Sequence, residues 1–174
     1  NSGVDTKWIE LRDLLRSDRL LFGVLLASSL FWFLGSLVQM IVFALGEQMQ
    51  LKETGTALLF VSTSIGIGVG CAIAGFLSKN RVNFGFVRFG AWGIFVSFAA
   101  LSLLGANWSG FAGMDRDTTE WIIRATFLVQ GVFCGFFIVP LQVCLQSRPP
   151  KDLKGRMIGT MNLINWMAIF LSAP

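Results

Sequence analysis

The 174-residue chain is 54% hydrophobic and 14% charged, with a mean hydropathy of +0.67, a composition that argues against a soluble domain of this length. Its 14 Lys+Arg against 10 Asp+Glu give a net charge of +4, but the basic residues are distributed among loops instead of gathered into one patch with stacking aromatics, which argues against a nucleic-acid partner. The chain has no His, so these residues cannot contain a His-ligated zinc site, a Ser/His/Asp triad or a His-dependent acyl-transfer motif, and neither metal nor cofactor is expected.

From the N-terminus, residues 1–19 are charged, with Trp8, Ile9, Leu11 and Leu15 recurring at helical spacing among Glu10, Arg12, Asp13, Arg16 and Asp18. This predicts a short amphipathic linker helix on the cytoplasmic membrane surface, a flexible charged linker being the alternative. Apolar runs follow from Leu20 to about Leu45, Ala57 to Leu77, Phe89 to Ala106 and Trp121 to Leu145, and a fifth begins near Met157 and is incomplete at Pro174. Each of the first four can cross a hydrocarbon core of about 30 Å as a helix rising about 1.5 Å per residue. The expected fold is therefore all-α, a polytopic transmembrane bundle over residues 20–174.

The segments before and between the runs alternate in charge. Lys7, Arg12, Arg16 and Arg19 lie in the first, Lys79, Arg81 and Arg88 in the third, and Arg148, Lys151, Lys154 and Arg156 in the fifth, which together hold eleven of the 14 cations. The second and fourth carry Lys52 and Arg116 against Glu47, Glu53, Asp115, Asp117 and Glu120. By the positive-inside bias the N-terminus and the third and fifth segments are cytoplasmic.

Polar and small residues inside the runs are the informative ones, because a polar group facing lipid is costly. Ser28, Trp32, Gly35 and Gln39 share a face of the first run; Ser62, Gly66 and Gly70 share one in the second, with Gly68 and Gly75 as further small positions. Such a small-residue face suits close helix packing or sliding. In the fourth run Thr126, Gln130 and Cys134 form one stripe and Gly131 and Gly135 another, and Pro140 is expected to kink the helix. Arg124 lies about one turn inside the outer boundary, where it can snorkel, pair with Glu120 or meet an anionic headgroup. Gly155, Gly159, Asn162 and Trp166 follow one face of the fifth run with Asn165 beside it, and two amides at this spacing imply an interhelical hydrogen bond or a lined cavity. Cys71, Cys134 and Cys144 read as small packing residues. Gly66, Gly68 and Gly70 lack the preceding strand and following Lys of a nucleotide loop. Every Asp and Glu lies in the N-terminal segment or the loops, which leaves a buried-carboxylate proton relay unsupported. Since the chain does not begin with Met and its fifth run is unfinished, it is expected to be a piece of a longer polytopic protein.

The run Gly135-Phe136-Phe137-Ile138-Val139-Pro140-Leu141-Gln142, then Leu145-Gln146, then Gly155-Arg156-Met157-Ile158-Gly159 and Asn162 resembles the second half of bacterial lysophospholipid transporters of the major facilitator superfamily. Leu15-Arg16-Ser17-Asp18-Arg19 followed by Phe31-Trp32-Phe33-Leu34-Gly35 is similar to the start of their seventh helix, especially in forms fused to an acyltransferase and an acyl-carrier-protein ligase. The resemblance implies part of the second six-helix half of a twelve-helix, inner-membrane transporter that moves lysophospholipid, chiefly lysophosphatidylethanolamine, for reacylation by alternating access. It implies as partners the missing N-terminal transporter half, membrane lipid and a fused or separate acyltransferase. Two other readings stand beside it: a membrane anchor for those enzymes, and a facilitator for another amphiphile. Trp32, Gln39, Arg124, Gln130, Asn162 and Asn165 are candidates for the substrate path. Gly75, Lys79, Arg81 and Arg156 are candidates for a cytoplasmic gate, Lys79 standing where the superfamily usually has an acidic residue. Gly66, Gly70, Gly135 and Pro140 are assigned to helix packing.

Overall fold

The computed structural model describes residues 2–78, 83–106 and 115–172. Among them the chain is six helices and no strand: α1 Ser2–Ser17, α2 Arg19–Gln48, α3 Glu53–Ser78, α4 Phe84–Ala106, α5 Arg116–Ser147 and α6 Lys154–Leu171. The helices start where short polar side chains precede apolar runs. Asp18 Oδ1 accepts the Leu21 N–H at 3.1 Å, and Asn83 Oδ1 accepts the Gly85 N–H at 2.9 Å. Each satisfies a backbone donor left over in a first helical turn. The Asp115 carboxylate caps α5 in the same way, accepting from the Thr118 hydroxyl at 2.5 Å and from the Thr118 backbone N–H; the hydroxyl bond first, then the backbone one, holds it below the usual carboxylate range.

The end of α2 is closed by a paired backbone motif in which Leu51 N–H donates to the Gly46 carbonyl and Gln50 N–H to the Glu47 carbonyl, both at 2.9 Å. This Schellman geometry needs a left-handed residue, and Gln50 supplies it with φ 52° where glycine is usual. The turn back into α3 is tight enough that a side chain on Gly46 would collide with Thr56.

Among the described residues four helices are long and apolar enough to cross a membrane: Arg19–Gln48, Glu53–Ser78, Phe84–Leu104 and Asp117–Ser147. The fifth expected span is not among them. Its helix α6 has 18 residues, and Lys154, Arg156, Asn162 and Asn165 lower its mean hydropathy. The four apolar helices expose many of their largest side chains, such as Leu30, Phe43, Ile65, Phe95 and Leu103. In water this would be an aggregation surface; around a membrane protein it is the face that meets lipid.

The described helices divide into two compact units, one of residues 1–37 and 141–174 and the other of residues 38–140. The first is built on Leu11, Leu21, Leu25, Leu145 and Met157, all buried. The second has an apolar core of Val42, Leu45, Met49, Leu59, Leu101, Leu104, Ile123 and Phe127. Its α3 and α5 meet backbone to backbone. A Cβ on Gly66 would lie 3.0 Å from the Gly131 Cα and against the Leu128 carbonyl, one on Gly70 would lie 2.8 Å from the Val132 Cα, one on Gly131 would lie 2.8 Å from the Ile67 N, and one on Gly135 would lie 2.7 Å from the Gly70 Cα. α4 docks on α5 by the same device, with Gly90 and Gly93 beneath Phe133 and Phe137. Phe89 stacks edge-on to Phe133 and Phe136 with centroids 5.2 and 5.5 Å apart, and Phe86 does so to Phe136 at 5.6 Å.

Gly68 lies on the same helix as Gly66 and Gly70 but has nothing within 4 Å of its Cβ position. Gly66→Ala is therefore expected to destabilise the purified protein by about 1–3 kcal/mol, the range for forcing an added group into a packed interface. Gly68→Ala should stay within about 0.5 kcal/mol of the parent. Unfolding of both variants in detergent micelles checks the contrast.

Candidate functional site

Each unit contains buried polar side chains within its apolar packing. In the first unit, Ser28 is 0% exposed, and Ser29 and Asn165 are each 7% exposed. The single Ser29 hydroxyl proton is shared between the Leu25 carbonyl at 3.0 Å and Asn165 Oδ1 at 3.2 Å. Gln142 Nε2 donates to Ser28 Oγ over a long 3.5 Å. Further along α2, the Ser36 hydroxyl is hydrogen-bonded to that of Ser172, and each also reaches a carbonyl of its own backbone, at 3.1 Å to Phe33 and 2.5 Å to Ile169. Ser28 and Ser36 are eight positions apart, about 12 Å along a helix axis. The seam therefore ties α2 to α5 and α6 through neutral hydrogen-bonding groups only. Serines that bond back to a carbonyl three or four residues earlier carry their own partner into an apolar setting, which makes this placement affordable in a membrane.

In the second unit Gln130 is 2% exposed, and its Oε1 has no hydrogen-bond partner. An acceptor buried in this way costs about 1–3 kcal/mol and marks the position as one a donor would stabilise. Just over two turns from the start of α5, Arg124 forms an ion pair with Glu120, and its guanidinium lies 4.9 Å over the Trp121 ring, while its Nε is buried without a partner. Thr126 bonds back to the Ile122 carbonyl at 2.8 Å. A cavity of about 420 Å³ opens beside Ile41, Leu45, Phe98 and Leu101, with Gln48 and Ser102 as its polar lining. Both units thus place a few uncharged polar groups against apolar walls, the arrangement of a site for an amphipathic or neutral polar solute.

The family model described as the Major Facilitator Superfamily matches residues 2–173. The chain belongs to that superfamily. Comparison with curated proteins and with solved structures gave no match. As a major facilitator chain it is a multi-pass membrane transporter, and the neutral seam lies inside helices of that transporter.

The residues singled out from this facilitator sequence fall in different surroundings. Asn165 is in the seam and Gln130 is buried, but Trp32, Gln39 and Asn162 are exposed on their helices. Of the two amides on α6, Asn165 finds a partner on another helix, whereas Asn162, only about 60° away around the axis, is exposed. Arg124 adopts the pairing with Glu120. Gly66, Gly70 and Gly135 are buried against backbone, Pro140 is buried within α5, and Gly75 is exposed with open space around it. Arg156 has its guanidinium 4.9 Å over the Trp8 ring. Lys79 and Arg81 lie outside the described residues. Ser29 and Thr160 escape the face-by-face reading, because Ser29 sits beside Ser28 but off the stripe that selected it; two adjacent serines in an apolar run were the available signal. Gln142 enters the sequence reading only as the end of the glycine-phenylalanine block.

Outside the spans, Asp18 has two duties, since besides capping α2 its Oδ2 accepts from Arg148 Nε at 2.5 Å. The Arg148 hydrogen bond first, then the Leu21 N–H, holds the carboxyl below its ordinary value of 3.8, and Arg148 is pushed up in return. Because the folded value is depressed, this stabilisation is fully present above 3.8 and is lost as pH falls through the lowered folded value. The melting temperature of the purified facilitator chain should therefore fall below pH 3.8 more steeply than that of Asp18→Asn, and the variant should melt lower at neutral pH; a thermal-unfolding series in acidic buffers reads both.

Proposed function

We propose that this transporter moves lysophospholipid, chiefly lysophosphatidylethanolamine, across the bacterial inner membrane to the leaflet where it is reacylated. The observation that carries this reading is the Gly135-to-Gln142 block, which ends on a glutamine beside Ser28 in the unit that also holds the Ser29 and Asn165 pair. A lysophospholipid presents one zwitterionic headgroup and one apolar tail. Recognising it calls for a short row of neutral hydrogen-bonding groups in an apolar wall, with no buried charge of one sign left uncompensated. Ser, Gln and Asn supply such a row here. A major facilitator works by rocking one helical half against the other about a site near the bilayer midplane. In this reading the chain belongs to the second half, its N-terminus is cytoplasmic, and the first half and an acyltransferase acting on the product are its partners.

Within that reading Gln142, Asn165 and Gln130 contact the substrate path, and the exposed Trp32, Gln39 and Asn162 are surfaces turned towards it during the cycle. Arg124, held by Glu120, guards the outer end. Gly75, Lys79, Arg81 and Arg156 belong to the cytoplasmic gate, where a basic set replaces the acidic residue usual in the superfamily.

The intact parent protein, reconstituted in vesicles with labelled lysophosphatidylethanolamine, is expected to give protein-dependent translocation. Asn165→Leu and Gln142→Leu should each lower the rate by about tenfold, the effect of roughly 1.4 kcal/mol, with the protein still folded by its melting transition. Absence of translocation by the parent would sink the substrate assignment, and full activity in both variants would reduce the seam to packing.

A further inference from the structure

The amphipathic helix α1 does more than lead into α2. It packs on α6, where Arg156 stacks over the Trp8 ring, and between α1, the first turn of α2 and α6 runs a groove of about 510 Å³. That volume is in the roughly 300–1,000 Å³ range of sites that hold small ligands. Trp8, Leu15 and Phe22 form its apolar walls, and Arg16 and Arg19 lie along it. Thr160 of α6 also lines it, with a buried hydroxyl that has no hydrogen-bond partner.

The charges around the groove are unequal. Of the nearby acids, Asp18 is taken by Arg148 and Asp13 is paired with Arg12 at 3.4 Å. Among the described residues no ion pair joins Arg16 or Arg19 to an acid. The groove therefore combines two uncompensated guanidinium groups, a hydroxyl lacking a partner and an apolar wall. That wall continues into the start of a membrane-crossing helix, where Leu20 and Phe22 are exposed. A ligand that fills it must be anionic at one end and soluble in hydrocarbon at the other.

We propose that the groove binds an anionic membrane phospholipid, its phosphate between Arg16 and Arg19 and an acyl chain along Trp8, Leu15 and Phe22. Arginine forks match phosphate oxygens, and the Thr160 hydroxyl offers a further donor to the phosphate or the ester oxygens. An acidic peptide satisfies the arginines but leaves the lipid-level wall beside Phe22 uncovered, which favours the lipid. The basic residues of the N-terminal segment then do more than set orientation. The inference goes beyond the transport reading, and its readout is lipid retention whatever the cargo.

Full-length protein is delipidated in detergent, offered mixed vesicles with equal amounts of phosphatidylglycerol and phosphatidylcholine, repurified, and its retained lipid measured by mass spectrometry. The parent should retain phosphatidylglycerol preferentially. Arg16→Gln with Arg19→Gln should reduce that preference by roughly tenfold or more, Arg16→Lys with Arg19→Lys should keep most of it, and added salt should weaken it. Equal retention of the two lipids by the parent overturns the proposal, as does an unchanged preference in the double Gln variant. Displacement of phosphatidylglycerol by poly-glutamate or inorganic phosphate as readily as by anionic vesicles also overturns it, by marking a peptide surface or a bare anion site. If the double Gln variant fails to fold, a photoactivatable phosphatidylglycerol on the parent decides: crosslinks within residues 8–22 or at Thr160 uphold the site and crosslinks elsewhere alone reject it.

Discussion

The close approach of α3 and α5 is the constraint from which much of the second unit follows. Inside a bilayer, burying apolar side chains against one another gains little over leaving them in lipid, so helices associate where their surfaces fit most closely. Gly66, Gly70, Gly131 and Gly135 remove the side chains from that contact, and the two backbones touch. Once Gly131 faces α3, its neighbour Gln130 is turned about 100° around α5, into the protein and not into lipid. The same helix accepts α4 through Gly90 and Gly93, so the Phe133 ring settles over Gly93 and the α5 backbone at Phe133 and Phe137 comes against Gly90. A single helix thus receives two neighbours through missing side chains and still carries a buried amide.

The first unit is held differently. Its α2, α5 and α6 are joined by hydroxyls and amides placed along the α2 axis, from Ser28 to Ser36. Each such bond contributes modestly in a membrane, about 0.6 kcal/mol on average. Groups of this strength can be exchanged for bonds to a solute at little net cost, whereas the backbone contacts of the glycine seam have no substitute. One unit is therefore suited to rearrange and the other to keep its shape.

Much of this was legible in the residues. The apolar runs and the glycine spacing on α3 and α5 are local signals, set by length and by a four-residue repeat. The ion pair of Arg124 with Glu120 was equally local, being one helical turn long. What escaped was the choice among similar polar residues: Asn165 is paired and Asn162 exposed, and Ser29 bridges helices beside an equally plausible Ser28. Those differences depend on which neighbour occupies which side of a helix, information carried by residues more than a hundred positions away, as from Ser29 to Asn165. The run from Met157 was expected to begin a fifth span, but the two amides and two cations of α6 set it apart in hydropathy from the four long apolar helices.

One residue separates α1 from α2, and that residue caps one helix while gripping Arg148. There is no slack in the chain at this joint. α2 has 30 residues, about 45 Å of helix against a hydrocarbon core of about 30 Å, so it must lean or project from the bilayer to fit. With α1 joined directly to the start of α2, any change in that lean is passed on to α1. Bilayer thickness is then felt at the joint as a torque, and a thin or thick membrane would set the resting attitude of the first unit.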